Sequence, residues 1–373
     1  RRDDRGGYGE RGYRGGSGGG GRSDRDGDRG YRGGSGGGRG GDRGYRGGSG
    51  GDRGYRDGER GRSRRVYDDE PRDGLLADLV GHLHALDGRS YAAYKAIVGR
   101  YRAPAGWFLH IDRVQSDPYA PPTRIHVDVP TDLHGLELLD EADLLADVDR
   151  RLAVGDFLTR ELHAGFRGTA LSIASPGQEI LQRSSVILRS EEKKEGAGWI
   201  LEVRARLALP AQGRSIQGHE ASRIVGRDLV RELEEAMDLT GERGDRLVRH
   251  IATLEDHRAL TATVARNGWV AFLADGSVLP RRSGVSDDPL DGGVPLQAPE
   301  SMAATVELPH AGTVRGTVVE AGVNVIVGGG YHGKSTLLSA IERGVYPHVP
   351  GDGRELVATV PDAAKVRAAD GRA

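Results

Sequence analysis

The chain has 373 residues, enough for two or three domains, and its 53 basic and 55 acidic residues leave a net charge of −2. It contains no cysteine, which excludes disulfides and cysteine-based metal sites. No apolar run approaches the length of a membrane span and no secretory signal is present, so we expect a cytoplasmic protein without a membrane partner.

The first 65 residues differ from the rest in composition. They contain no alanine, valine, isoleucine, leucine, methionine, phenylalanine or tryptophan. They hold 18 arginines and 10 acidic residues, a net charge of +8, whereas the remainder carries −10. A segment without these side chains cannot bury a core, so we predict a disordered Gly/Arg-rich tail over residues 1–70.

The tail repeats the unit Asp/Glu-Arg-Gly-Tyr-Arg-Gly-Gly-Ser-Gly-Gly, which resembles the RGG-rich segments of RNA-binding proteins. Copies begin at Glu10, Asp28 and Asp42, and a shortened copy begins at Asp52. Arginine contacts phosphate and tyrosine stacks on bases, which favours weak RNA binding. The interleaved acids oppose phosphate contacts, so a flexible spacer or condensate-forming tail is the alternative. The candidate RNA-binding residues are Arg11, Tyr13, Arg14, Arg29, Tyr31, Arg32, Arg43, Tyr45, Arg46, Arg53 and Tyr55.

From Pro71 onward the composition is that of folded domains. Apolar spacing and turn residues predict, in chain order, a helix at 75–83, a helix after Ser90, strands at 107–114 and 124–129, a helical region at 141–163, a strand at 199–209, helices at 219–238 and 243–266, and a strand at 269–274. This order lacks regular strand–helix alternation, so we predict an α+β N-terminal domain over 71–300.

Several polar features in this region have two interpretations. Arg204 and Arg206 share one face of the strand at 199–209, which suits a nucleic-acid surface or a solvated sheet face. The polar segments 111–119, 177–185 and 275–284 suit ligand-contacting loops or structural turns. The histidines are scattered, and the spacing of His82 and His84 suits no known metal site, so we predict no histidine-bound metal.

Residues 328–336 fit the pattern G-x-x-x-x-G-K-S/T of a phosphate-binding loop. Apolar residues at 323–327 predict a buried strand before it, and residues 336–342 have helical spacing after it. In this pattern the backbone N–H groups surround phosphate oxygens, the lysine contacts the β and γ phosphates of ATP, and Ser335 ligates Mg²⁺. The candidate nucleotide-binding residues are Gly328, Gly329, Gly330, Tyr331, His332, Gly333, Lys334, Ser335 and Thr336.

Together with other segments, this loop resembles the predicted ATPases of the ABC class. The other segments are 86–91, 112–119, 177–185, 274–277, 342–346 and 348–355, so the resemblance covers roughly 74–373. It implies a characteristic α+β N-terminal domain followed by an α/β P-loop domain of ABC type, beginning here at 301. It also implies ATP hydrolysis without transmembrane spans, and a link to RNA for some relatives.

The sequence departs from the ABC pattern after the loop. An ATPase of this type needs an acidic strand end, Walker B, and a signature loop that completes a partner's site. The apolar residues 356–360 predict a strand, but Pro361 and Asp362 follow it without a pair of acids. Because the chain also starts at Arg1, we expect a fragment truncated at both ends, without useful hydrolysis by itself.

Three hypotheses of function follow. The first is an ABC-class P-loop ATPase with an RGG-like tail, ATP and Mg²⁺ as ligands, and a head-to-tail homodimer by analogy. The second is an RNA-binding protein whose nucleotide site is regulatory or non-hydrolytic. The third is a P-loop kinase, which the resemblance and the lack of a clear acceptor site disfavour.

Overall fold

The computed structural model describes residues 72–193 and 196–366. Up to residue 239 the elements are β1 (Arg72–Leu75), α1 (Leu76–Ala85), a 3-10 helix (Tyr91–Ile97), β2 (Gly99–Arg102), β3 (Phe108–Arg113), β4 (Thr123–Pro130), α2 (Leu138–Glu141), α3 (Val148–Gly165), β5 (Leu171–Ser172), β6 (Val186–Lys193), β7 (Gly196–Leu207), β8 (Ala211–Gln212), β9 (Ser215–Ile216), α4 (Gly218–Arg223), a π-helix (Ile224–Leu229) and α5 (Val230–Met237).

The later elements are α6 (Gly241–Arg266), β10 (Trp269–Ala274), β11 (Arg281–Ser283), β12 (Ser286–Pro289), a 3-10 helix (Glu300–Met302), β13 (Ala303–Leu308), β14 (Gly312–Glu320), α7 (Lys334–Arg343) and β15 (Val357–Thr359).

Within the described residues, the first sheet has seven strands in the order β1-β2-β3-β4-β7-β5, and β6 also pairs with β7. Only β1 and β2 run parallel among these pairs. On β4, Ile125, Val127 and Val129 are buried, whereas Arg124 and the other residues between them are more exposed. This alternation follows the two-residue period of a strand, so one sheet face packs on the helices and the other is polar.

Helix α6 connects the two main parts of the structure. Its 26 residues correspond to a length of about 39 Å. Leu247 and Leu254 belong to the core beneath the seven-stranded sheet, whereas Leu260 and Val264 pack with Phe272 in a second core.

The second core surrounds a four-stranded sheet in the order β13-β14-β10-β15, in which every pair is antiparallel. Phe272 and Ala274 of β10 face the end of α6, and Ala271 and Leu273 face the opposite side, where α7 packs. Gly316 allows β14 to lie close to β10, because a Cβ there would be 2.4 Å from the carbonyl oxygen of Leu273.

The structure confirms the α+β class predicted for the N-terminal domain and most of its elements. Three elements differ in detail. The helix after Ser90 is a 3-10 helix, the region 141–163 contains the end of α2, a break and most of α3, and the π-helix interrupts the helix predicted at 219–238. The predicted tail lies outside the described residues.

Candidate phosphate-binding loop

The loop at 328–336 has the backbone geometry that its glycines predict. Gly333 has a φ of 78° and directly precedes α7, and Gly328 has a φ of 156°. Both values favour glycine because other residues rarely adopt them. Tyr331 is the exception, with a φ of 63° and a fully exposed side chain.

The side chain of Lys334 folds back over the loop. Its Nζ donates hydrogen bonds to the carbonyl oxygens of Gly328, at 2.7 Å, and Gly329, at 2.5 Å. The N–H of Gly329 in turn donates to Nδ1 of His332 at 3.2 Å. Among the described residues, the ammonium group therefore bonds to neutral backbone oxygens of the loop, which phosphate oxygens could replace as acceptors.

The first turn of α7 is suited to bind an anion. Its leading N–H groups have no acceptor within the helix, and the helix dipole places partial positive charge there. No acidic residue lies in this turn. Ser335 is exposed and Thr336 is half-buried. The chemistry of these donors fits a phosphate group, and the Ser335 hydroxyl could ligate a hard cation.

The other end of α7 is fixed to β15 and α6. The carbonyl oxygen of Gly344 accepts from the N–H of Thr359 at 2.9 Å and from Nε2 of His257 at 3.1 Å. The Thr359 hydroxyl donates to the carbonyl oxygen of Ile341 at 2.7 Å. Ala340 is fully buried against β15. The loop therefore lies at the free end of an anchored helix.

The buried strand predicted at 323–327 is wrong for this structure. These residues adopt no regular structure, and Val323 and Val327 are 96% and 81% exposed. A strand needs a partner to bond its backbone, and within the described residues β10, β13, β14 and β15 pair with one another instead. The strand predicted at 356–360 is confirmed as β15, antiparallel to β10.

Side-chain hydrogen bonds hold two of the polar segments against the rest of the fold. In the segment 275–284, Asp275 accepts from the N–H of Ala298 at 2.6 Å and pairs with Arg315 at 2.5 Å. These two bonds lower the pKa of Asp275. In the segment 177–185, Arg160 of α3 donates to the carbonyl oxygens of Gly177, at 2.6 Å, and Glu179, at 2.9 Å.

A buried charged cluster lies beneath the segment 177–185. Asp156 is fully buried and forms ion pairs with Arg160, at 2.7 Å, and with Arg183. His250 lies 3.1 Å from the same carboxylate. Burial, followed by the charges of Arg160 and Arg183, lowers the pKa of His250 to about 3, so the imidazole is neutral. This cluster therefore fixes the segment to α3 and α6.

The structure does not bring all predicted site residues together. The nine residues of the loop form one continuous feature, but the eleven candidate RNA-binding residues of the tail lie outside the described residues. Arg204 and Arg206 lie on the polar face of the seven-stranded sheet, beside Arg124 and His126 around a cavity of about 630 Å³. Sequence reasoning missed His110, His126 and Asp128, which meet on this face because β3 and β4 pair.

A G-x-x-x-x-G-K-S motif that leads into a helix is the mark of a P-loop protein. Family models agree with this class. The model described as the N-terminal domain of ATPases of the ABC class matches residues 76–239. The P-loop domain of the same ATPases matches residues 243–373. The chain therefore belongs to the ABC-class ATPases with this N-terminal domain, and the α+β domain followed by a P-loop domain is confirmed.

A comparison with curated proteins found no match. Within residues 72–193 and 196–366, every helix is too short or too polar to cross a bilayer.

Proposed function

We propose that this protein binds Mg²⁺-ATP through residues 328–336 and hydrolyses it. The observation that carries the proposal is the position of Lys334. Its ammonium group lies inside a glycine-rich loop at the N-terminus of α7, bonded to the loop's own carbonyl oxygens. Membership of a P-loop ATPase family supports ATP as the ligand.

The backbone N–H groups, Lys334 and Ser335 have different chemical roles in this proposal. The N–H groups from Gly330 to Thr336 donate to phosphate oxygens, and Lys334 exchanges its two carbonyl bonds for the β and γ phosphates. The Ser335 hydroxyl ligates Mg²⁺, and the exposure of this residue leaves it accessible. When bound, Mg²⁺ neutralises charge on the phosphates during transfer.

The alternative is an RNA-binding protein whose nucleotide site is regulatory. Phosphate release from ATP, measured with and without single-stranded RNA, separates the two functions. Turnover that disappears in Lys334→Ala supports the ATPase. Tight ATP binding without turnover supports the alternative.

We also propose a three-part organisation, with a tail over 1–70, an N-terminal domain from 71 and a P-loop domain at the end. The pairing of β10 with β14 and β15 supports a second boundary before β10 instead of at residue 300, and the family matches to 76–239 and 243–373 support placing it before α6. Limited proteolysis tests this division, since cleavage should concentrate near residue 240 rather than near residue 300.

RNA binding by the tail and head-to-tail pairing of two chains complete the proposal. The repeated Arg-Gly-Tyr-Arg sequence supports the first. The exposed loop supports the second, because a partner chain could cover bound nucleotide there. Sedimentation with and without ATP tests pairing, and ATP-independent monomers would contradict it.

A further inference from the structure

Two neighbouring strands of the seven-stranded sheet carry the same short pattern, His-x-Asp. It occurs as His110 and Asp112 on β3 and as His126 and Asp128 on β4. Residues two apart on a strand share a face. The strands are antiparallel, with His110 directly opposite His126. Pairing therefore gathers two imidazoles and two carboxylates on the polar face of the sheet.

The distances within this group suit a metal ion. One donor atom from each of His110, His126 and Asp128 lies within 4.8 Å of the other two. Nε2 of His110 is 3.3 Å from Oδ2 of Asp128. Ligands bound at about 2.0–2.1 Å to a tetrahedral Zn²⁺ are separated by about 3.3 Å. The imidazole rings of His110 and His126 stack with centroids 4.1 Å apart.

Two of these polar groups lack hydrogen bonds. Nε2 of His110 and Oδ1 of Asp128 are buried, and neither has a hydrogen-bond partner among the described residues. The contact between His110 and Asp128 is close but lacks hydrogen-bond geometry. Buried polar atoms in folded proteins almost always have a partner, so this pair needs one that the described residues do not supply.

The surrounding residues prepare the donors for an ion. Nδ1 of His126 lies 2.9 Å from Oδ2 of Asp112. This contact fixes the ring so that Nε2 of His126 points away from Asp112. Arg189 binds Oδ2 of Asp128 at 2.7 Å and leaves Oδ1 without a partner.

The His126 side of this group is open to solvent. Asp112 and His126 line the cavity of about 630 Å³ on the same face, together with Arg124, Arg204 and Arg206. A site with three protein ligands leaves a fourth position for water or for an anion held by these arginines.

We infer that His110, His126 and Asp128 form a binding site for a divalent first-row transition ion such as Zn²⁺, with Asp112 orienting His126. Two imidazoles and one carboxylate are ligands that such ions prefer, whereas Mg²⁺ and Ca²⁺ prefer oxygen. The site is separate from the phosphate-binding loop, so it does not depend on the proposed ATPase function.

The test is isothermal titration of Zn²⁺ into the purified chain without nucleotide. We expect one tight site per chain. His126→Gln should weaken it about 100-fold or more, and Asp112→Asn about tenfold. Arg189→Gln should strengthen binding, because it removes the guanidinium that competes for Asp128. Co²⁺ should show the visible absorption of a tetrahedral ion in the wild type but not in His126→Gln.

The chain offers a matched control in a second histidine pair. Nδ1 of His219 lies 2.7 Å from Nε2 of His84 in an exposed position. His219→Gln should leave the tight site intact. The inference is overturned if Zn²⁺ affinity is unchanged in His126→Gln and Arg189→Gln, if His219→Gln abolishes binding, or if the wild type binds no Zn²⁺. Thermal unfolding of each variant confirms that it is folded, and the Arg189 variant keeps all three ligands.

Discussion

Arg343, the last residue of α7, forms an ion pair with Glu179 of the segment 177–185. Two backbone hydrogen bonds reinforce this junction. The N–H of Val349 donates to the carbonyl oxygen of Gln178 at 2.9 Å, and the N–H of Ile180 donates to the carbonyl oxygen of Pro347 at 2.8 Å. The helix that begins at the phosphate-binding loop therefore ends against the family's N-terminal domain. A displacement of α7 by nucleotide would strain this junction.

The first prediction concerns the stability of this junction. Arg343→Met leaves the nearly buried carboxylate of Glu179 without its partner, which should lower the free energy of unfolding by about 1–2 kcal/mol. Urea unfolding measures the change. The control is Lys365→Met, which breaks the more exposed ion pair with Glu342 on the same helix and should cost less than about 1 kcal/mol. A double-mutant cycle with Glu179→Gln should show coupling of about 0.5 kcal/mol or more, and no coupling would contradict the prediction.

The second prediction concerns the loop. Lys334→Ala removes a charge-assisted contact to phosphate that contributes about 1.5–3 kcal/mol, or roughly 10- to 150-fold in ATP affinity. Titration calorimetry with Mg²⁺-ATP measures the loss. Lys365→Ala serves as the matched control, because it removes a lysine at the surface near α7 and should leave affinity unchanged. Equal ATP affinity for wild type and Lys334→Ala would mean that the nucleotide binds elsewhere.

The third prediction concerns acid stability. Burial lowers the pKa of His250 to about 3, and an unfolded histidine has a pKa near 6.5. The unfolded chain therefore binds the extra proton between these values. The contribution of neutral His250 to the free energy of unfolding is therefore fully present above pH 6.5. As the pH falls towards 3, this contribution is lost, by about 1.4 kcal/mol per pH unit at most.

His250→Gln keeps a donor for Asp156 but removes this proton uptake. Unfolding of the variant measured from pH 7 to pH 4 should therefore show a weaker pH dependence. His134→Gln is the control, because His134 is exposed and its bond to Glu137 raises its pKa. In His134→Gln the loss of stability in acid should therefore be at least as large as in the wild type. An unchanged slope in His250→Gln would rule out His250 as the source.

Sequence patterns predicted much of this structure because most elements depend on local periodicity. The alternating residues of β4 and β7 and the helical spacing of α6 need only one face of each element to be buried. The strand at 323–327 has the same kind of apolar pattern, yet a strand forms only when another edge pairs with it. Partners of this kind are distant in sequence, so periodicity cannot reveal them.

The candidate sites show the same limit. The loop at 328–336 is contiguous, so its motif can be found by reading the sequence alone. His110 and His126 are 16 positions apart and meet only through the register of β3 and β4. The repeated His-x-Asp pattern on consecutive predicted strands was the available signal. Spacing rules for metal ligands apply within one helix or loop and do not cover pairs across a sheet.

The last prediction concerns the tail. Residues 1–65 should bind single-stranded RNA weakly, and the logarithm of affinity should fall with the logarithm of salt by about 0.7 for each phosphate neutralised. Replacing Tyr13, Tyr31, Tyr45 and Tyr55 by alanine should cost about 1 kcal/mol or more for each stacked base. Changing the repeat arginines to lysine keeps the charge but removes planar stacking, so it should weaken binding less than alanine does. Fluorescence anisotropy with labelled RNA measures each effect. Binding that ignores salt, or none at low salt, would leave the tail a spacer and remove the sequence-based link between this protein and RNA.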